Sequence, residues 1–133
     1  MTMIVSVLAL LSSALLFGGM VLFSFGFAVF ALSALPADSA RSLIRRAFPP
    51  YYLAVIACAA VAGGLVAMRD PIGAGLLAGI ALTTVPARQL LMPAINAATD
   101  AGDKRQFGRL HGLSVVIQLV QIAAAGVVLA RFL

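Results

Sequence analysis

A stripe of polar and aromatic side chains lies on one face of the segment from Lys104 to Gln121. Its members follow one another at spacings of four, three, four and three residues, so on a helix they share a face. The stripe contains the only histidine in the chain. It consists of Phe107, His111, Ser114, Gln118 and Gln121. Such side chains can hydrogen-bond a ligand, and the imidazole can also carry a proton or bind a metal.

The surroundings of His111 argue against catalysis and against a metal site. A catalytic base would need a nucleophile and an orienting carboxylate. Ser114 is one turn away, but Asp100 and Asp103 are expected to lie toward water, so we expect no enzyme. Metal binding would need more ligands, and the chain has no second histidine and no C-x-x-C pair. No cofactor is implied, although haem needs only one axial histidine and stays an alternative.

A second polar row precedes the stripe, with its members four residues apart. On a helix these side chains share one face. The row consists of Thr84, Arg88, Met92, Asn96 and Asp100. If the two segments form an antiparallel hairpin, Thr84 lies level with Gln118 and Arg88 with Ser114. The predicted ligand-binding residues are therefore Thr84, Arg88, Asn96, His111, Ser114 and Gln118.

Arg88 carries most of the argument for a ligand. An arginine at the centre of a membrane helix costs at least about 2.5 kcal/mol by insertion scales, so it requires a partner or a cavity. No acidic residue is predicted at its height. The alternative is that Arg88 extends its guanidinium to the lipid headgroups.

Composition indicates the solvent for most of the chain. Of the 133 residues, 63% are hydrophobic and 10% charged, against about 45–50% and about 25% in soluble domains. Such a chain cannot cover itself with polar groups, which indicates an integral membrane protein. Backbone groups in hydrocarbon must be satisfied internally, which favours helices.

The predicted fold class is all-α, an integral membrane four-helix bundle in one domain. The spans are predicted at about 3–35, 51–68, 72–98 and 104–133, with a short interfacial amphipathic helix at about 39–48. Pro49 and Pro50 are expected to end that short helix, and Tyr51 and Tyr52 to lie in the interfacial aromatic belt. Neighbouring helices are expected to approach closely at four glycines, Gly18, Gly19, Gly75 and Gly79. The first two act together with Ser24 and Gly26.

Charge predicts the orientation and the partners. The net charge is +5, and the basic residues lie at the ends of apolar runs. Six of them flank the first and third connections: Arg41, Arg45, Arg46, Lys104, Arg105 and Arg109. This bias predicts that both connections are cytoplasmic and both termini outside, in a bacterial inner membrane. The expected partners are the bilayer and its anionic headgroups, with a homo-oligomer or a partner membrane protein, and no nucleic acid.

Several strings in the sequence resemble a known family. They are FSFGFAVFALSALP, FPPYY, PARQLLMPAINAATD and FGRLHGLSVVIQLVQ. Together they resemble the small four-helix membrane proteins of the transmembrane protein 205-like family, over residues 16–121. The matching residues are Pro36, Phe48, Pro49, Tyr51, Arg88, Pro93, Asn96, Phe107, His111 and Ser114, whereas Gln118 departs from an asparagine frequent in the family. The resemblance implies the fold and the position of a site, and implies no reaction.

Three functional hypotheses follow from the sequence. The first is a non-enzymatic membrane protein whose polar layer binds, or helps to move, a small anionic or amphiphilic ligand. The second is a structural or assembly subunit of a larger membrane complex. The third is a haem-binding membrane protein that uses His111.

Overall fold

Four long helices make up the structure, a computed structural model that describes residues 2–133. They are α1 (Met3–Ala34), α2 (Ala37–Val66), α3 (Pro71–Asp100) and α4 (Lys104–Ala130), each long and apolar enough to cross a membrane. The described range contains no β-strand. The predicted all-α integral membrane four-helix bundle is therefore confirmed.

Local signals in the sequence set the helix ends. The Thr2 hydroxyl accepts the Val5 N–H and caps α1. Pro71 occupies the first turn of α3, where its missing N–H has no cost. Gly102, with φ +68°, ends α3 in the left-handed conformation. Asp103 then accepts the Gln106 N–H at 3.0 Å, and α4 starts at Lys104, where the fourth span was predicted to begin.

The predicted break at Pro49 and Pro50 is wrong, because α2 continues through both prolines. The expected interfacial helix at 39–48 forms the first part of this one helix. Prolines in a helix deprive the carbonyls four residues earlier of their donors. Those carbonyls belong to Arg45 and Arg46, which are both exposed, so polar surroundings can replace the lost bonds. Helix α2 can thus continue through the pair, which lies in its first half.

The helices follow one another around the bundle. Helices α1 and α3 each pack against both α2 and α4, so neighbours are antiparallel. At the end formed by the first and third connections, Arg45 donates two hydrogen bonds to Asp100, at 2.8 and 2.9 Å. At the opposite end, Arg131 pairs with Asp70 in the same manner, at 2.5 and 2.7 Å. The six basic residues counted above therefore belong to one end of the bundle.

The bundle is tightly packed over only part of its length. We call the part near the α2–α3 connection the closed half, and its apolar core includes Leu16, Met20, Ala59, Leu77 and Val128. We call the part built from residues 22–52 and 87–118 the open half. Large apolar side chains also cover the outer surface, such as Leu82, which is 71% exposed. This perimeter suits contact with lipid.

Two π-helical turns lie where the halves meet. They are Leu22–Phe27 in α1 and Ala87–Leu91 in α3. Both lie beside the proline segment of α2: Phe23 stacks on Tyr51 with 3.8 Å between ring centroids, and Arg88 bonds to Pro49. Single π turns within α-helices frequently mark functional sites.

The expectation of close packing at the four glycines is wrong. A Cβ added at Gly18, Gly19, Gly75 or Gly79 would have no neighbouring atom within 4 Å. Close approach occurs instead at Gly63, whose added Cβ would lie 3.5 Å from Leu77 Cβ.

Candidate functional site

A cavity of about 670 Å³ occupies the open half, between α2, α3 and α4. Its walls are largely apolar and aromatic, with polar groups at intervals and cations at the water-facing end. The apolar lining includes Phe48, Tyr52, Met92, Ile95 and Phe107. Its volume lies within the range of about 300–1,000 Å³ that is usual for small-molecule sites.

Three of the predicted site residues line this cavity together: Asn96, His111 and Ser114. The side chains of Asn96 and His111 hydrogen-bond to no residue in the described range 2–133. Both therefore keep their donors and acceptors free for a ligand. The structure thus brings these three residues of helices three and four together, and their role as a binding site stays a prediction.

The local geometry of His111 suits binding. Its ring stacks on Phe107, with centroids 5.3 Å apart and planes at 7°. The Ser114 hydroxyl donates to the His111 carbonyl at 2.8 Å rather than to the imidazole. The pair is therefore not arranged as a nucleophile and its base.

Arg88 does not lie where the sequence predicted. Its Nε donates to the Pro49 carbonyl at 3.3 Å, and one terminal nitrogen donates to Gln89 at 2.8 Å. The guanidinium thus contacts α2, away from Ser114, and is not part of the cavity lining. The prediction assumed an unbroken α-helix, whereas the π turn at Ala87–Leu91 changes the direction of the following side chains.

Thr84 also has a different partner from the predicted one. It is fully buried, donates to the Ile80 carbonyl at 2.7 Å and accepts from Gln121 at 3.1 Å. Gln121 also donates to Thr83 at 2.8 Å. The predicted alignment of Thr84 with Gln118 is wrong by about one helical turn, and Thr84 belongs to the closed half.

Gln118 joins three helices below the cavity. Its amide donates to Ser24 Oγ on α1 at 2.9 Å and to the Tyr51 hydroxyl on α2. We call Ser24, Tyr51 and Gln118 the polar floor. The sequence interpretation treated Ser24 only as a small residue for close helix packing, and placed Tyr51 in an interfacial belt. A glutamine within an apolar helix requires hydrogen-bond partners, so Gln118 itself indicated that polar side chains of other helices lie near it.

Cations surround the water-facing end of the cavity. The lining there includes Arg41, Arg45, Lys104 and Asp103. Arg45 is engaged by Asp100, and Asp103 caps α4. Arg41 lies 3.9 Å from an exposed Asp38, and Lys104 has no ion pair within residues 2–133. An anionic ligand could therefore pair with Lys104, and with Arg41 in competition with the exposed Asp38.

The structure of residues 2–133 does not bring metal-binding side chains together. Residues 2–133 contain no cluster of three His, Cys, Asp or Glu side chains that could hold a metal ion. Cys58 lies half-buried in α2 as a free thiol. Haem binding at His111 stays a prediction.

Fold and surface together define a multi-pass membrane protein with a four-helix bundle. The chain belongs to the family described as Domain of unknown function (DUF4149), whose model matches residues 11–104. The match covers most of α1, all of α2 and α3 and the connection to α4, and ends before His111. No curated protein and no solved structure matches the chain. The resemblance to the transmembrane protein 205-like family stays a prediction.

Proposed function

We propose that the protein is a non-enzymatic membrane protein whose open-half cavity binds a small anionic or amphiphilic molecule. The observation that carries the proposal is the lining of that cavity, which combines an aromatic wall, free polar groups and a cationic end. An amphiphile needs that combination, because its tail must leave water while its headgroup keeps polar partners.

The contacts on each wall support distinct parts of this role. Phe48 and Tyr52 form an aromatic pair on α2, with centroids 5.5 Å apart, opposite Phe107 on α4. Asn96 and His111 offer hydrogen bonds between the apolar wall and the cations. We propose Asn96, His111 and Ser114 as the ligand-binding residues. Arg88 acts as a link between α3 and α2.

The orientation belongs to the same proposal. We place the cationic end of the cavity in the cytoplasm and both termini on the other side, because positively charged connections favour the cytoplasm. In a bacterial inner membrane the cavity would then face the cytoplasmic leaflet. A cysteine introduced in place of Gly102 should react with a membrane-impermeant maleimide only in inverted vesicles. Labelling in intact cells would overturn this orientation.

Native mass spectrometry of protein purified in mild detergent tests the binding role. We expect the wild type to retain an anionic or amphiphilic adduct. Asn96→Trp fills the cavity and should lower the occupied fraction at least about tenfold, which corresponds to about 1.4 kcal/mol. Leu90→Trp is the matched control, because Leu90 is 71% exposed on the same helix outside the cavity, and it should keep the adduct.

Three outcomes would overturn the proposal. An empty wild-type bundle would remove its basis. An unrelated protein recovered in stoichiometric yield after cross-linking in native membranes, with an empty cavity, would favour the structural-subunit hypothesis. A Soret band in the purified protein would favour haem binding at His111, with His111→Ala removing the band.

A further inference from the structure

The cavity is open toward the bilayer as well as toward water. Its lining comes from α2, α3, α4 and the α3–α4 connection, and includes no residue of α1. The last part of α1, Ala28–Ala34, packs on α2, with no comparable packing against α4 in the described structure. From Lys104 to Leu113 every residue of α4 except Leu110 is exposed. A gap between α1 and α4 therefore leads sideways from the cavity into the surrounding lipid.

The depth of the cavity corresponds to one leaflet. Its lining on α2 begins at Arg41 and ends at Tyr52, and the eleven steps between them correspond to about 16.5 Å of helix. The hydrocarbon core of a bilayer is about 30 Å thick, so one leaflet contributes about half of that. The polar floor of Ser24, Tyr51 and Gln118 then lies near the midplane, where an acyl chain of that leaflet ends.

Charge at the other end selects the headgroup. Arg41 and Lys104 line the cavity where α2 and α4 begin, at the depth where lipid phosphates lie. The phosphate of a zwitterionic headgroup is already balanced by the headgroup's own cation. An anionic headgroup instead brings an unbalanced phosphate charge to Lys104 and to Arg41, whose other counter-charge is the exposed Asp38 at 3.9 Å. Basic residues at this depth attract anionic lipids.

We infer that the ligand is an anionic phospholipid of the adjacent leaflet, with one acyl chain in the cavity and the other in the bilayer. The chain enters through the gap between α1 and α4, and the phosphate lies between Arg41 and Lys104. This inference rests on the proposed binding function and narrows it to one class of lipid.

Photo-cross-linking in nanodiscs of equal phosphatidylglycerol and phosphatidylcholine tests the inference. In each sample, one of the two lipids carries a diazirine in its acyl chain. Both should label the lipid-facing Phe30 of α1, which is 69% exposed. Only phosphatidylglycerol should label Met92 and Phe107 in the cavity. Equal labelling of the cavity by both lipids would overturn the headgroup assignment.

Paired arginine and lysine variants test the phosphate site. Arg41→Ala and Lys104→Ala should each lower cavity labelling about fivefold. Arg46→Ala and Arg105→Ala remove the same charge nearby, outside the lining, and should change it by less than about twofold. Equal losses in both sets would show general charge attraction, and would overturn the assigned site.

A third arm separates this inference from the proposed function. Diazirine-labelled palmitate supplies an anionic headgroup with a single chain. Labelling of Met92 by palmitate and not by phosphatidylglycerol would overturn the phospholipid, while the binding function would stand. The same holds if neither lipid labels the cavity but native mass spectrometry detects another ligand. An empty cavity in both experiments would overturn both proposals.

Discussion

The hydrogen bond between Gln121 and Thr84 provides a quantitative test of the packing between α3 and α4. Gln121 is only 5% exposed, and its amide donates to the hydroxyls of Thr83 and Thr84. Interhelical hydrogen bonds in membranes contribute about 0.6 kcal/mol on average and at most about 1.7. Gln121→Leu should therefore lower the free energy of unfolding by about 1 kcal/mol, with about 3 as the upper bound.

The loss of stability in Gln121→Leu should stay small because Thr83 and Thr84 each keep a second hydrogen-bond partner. Thr84 still donates to the Ile80 carbonyl, and Thr83 still donates to the Gly79 carbonyl. Leucine restores most of the glutamine volume, so no large cavity remains. Gln121→Ala removes that volume as well and should cost more than Gln121→Leu. The loss of stability in Gln121→Leu thus reports the hydrogen bonds, and the additional loss in Gln121→Ala reports packing.

A double-mutant cycle isolates the interaction energy between Gln121 and Thr84. We expect Gln121→Leu and Thr84→Val to couple by about 0.6 kcal/mol, measured by unfolding in dodecyl sulfate mixed micelles and followed by circular dichroism. Thr99→Val is the control, because Thr99 makes the same backbone bond as Thr84, to Ile95 at 3.0 Å, about 22 Å along α3. Its coupling to Gln121→Leu should be zero. Equal coupling in both cycles would refute the reasoning.

Three further predictions concern the closed half and the α2–α3 connection at its end. Arg131 holds the pKa of Asp70 at about 2, below the ordinary 3.8. The contribution of this ion pair to the free energy of unfolding should therefore be complete above about pH 4 and be lost as the pH decreases through 2. Asp70→Asn should remove this pH dependence in acid unfolding titrations. Gly73→Ala should lower the melting temperature, because its added Cβ would lie 2.6 Å from Asp70 Oδ2, whereas Gly75→Ala, with open space around it, should leave it unchanged or raise it. Ser13→Ala should leave thermal stability unchanged or raise it, because the buried Ser13 hydroxyl has no partner within residues 2–133; a large loss would contradict that assignment.

Composition and helix-end signals predicted most of the fold. The apolar fraction identified the membrane as solvent, and Asp103 and Pro71 mark the starts of α4 and α3 in the structure. The length of α2 was missed, since Pro49 and Pro50 favour a break in any local interpretation. Their effect is small here because the carbonyls that they leave free belong to the exposed Arg45 and Arg46, and the sequence does not show that exposure.

The candidate site was only partly predictable, because side-chain rows assume a regular helix. Asn96, His111 and Ser114 lie on the segments that follow the π turn of α3 and were correctly brought together. Arg88 lies within that turn, and Thr84 before it, so neither shares their face. Nothing in local composition predicts which helix a turn of this kind will direct a side chain toward.

The polar floor shows a second limit of interpretation from sequence. Its members come from three helices and are separated by up to 94 positions in the chain. Ser24 has no unusual neighbours in sequence, and Tyr51 follows a proline pair that resembles an interface. Only the packing of α1 against α2, through the stacked rings of Phe23 and Tyr51, brings both hydroxyls to Gln118.

The most direct test of the central claim is a methyl NMR measurement in lipid nanodiscs. Selective labelling of methionine methyl groups gives three internal probes: Met92 in the cavity, Met20 in the closed core at 1% exposure, and Met68 at 90% exposure. We predict nuclear Overhauser contacts between acyl-chain protons and the Met92 methyl, and none for Met20, with Met68 as the exposed reference. A Met92 methyl that behaves as Met20 does would contradict a cavity open to ligand.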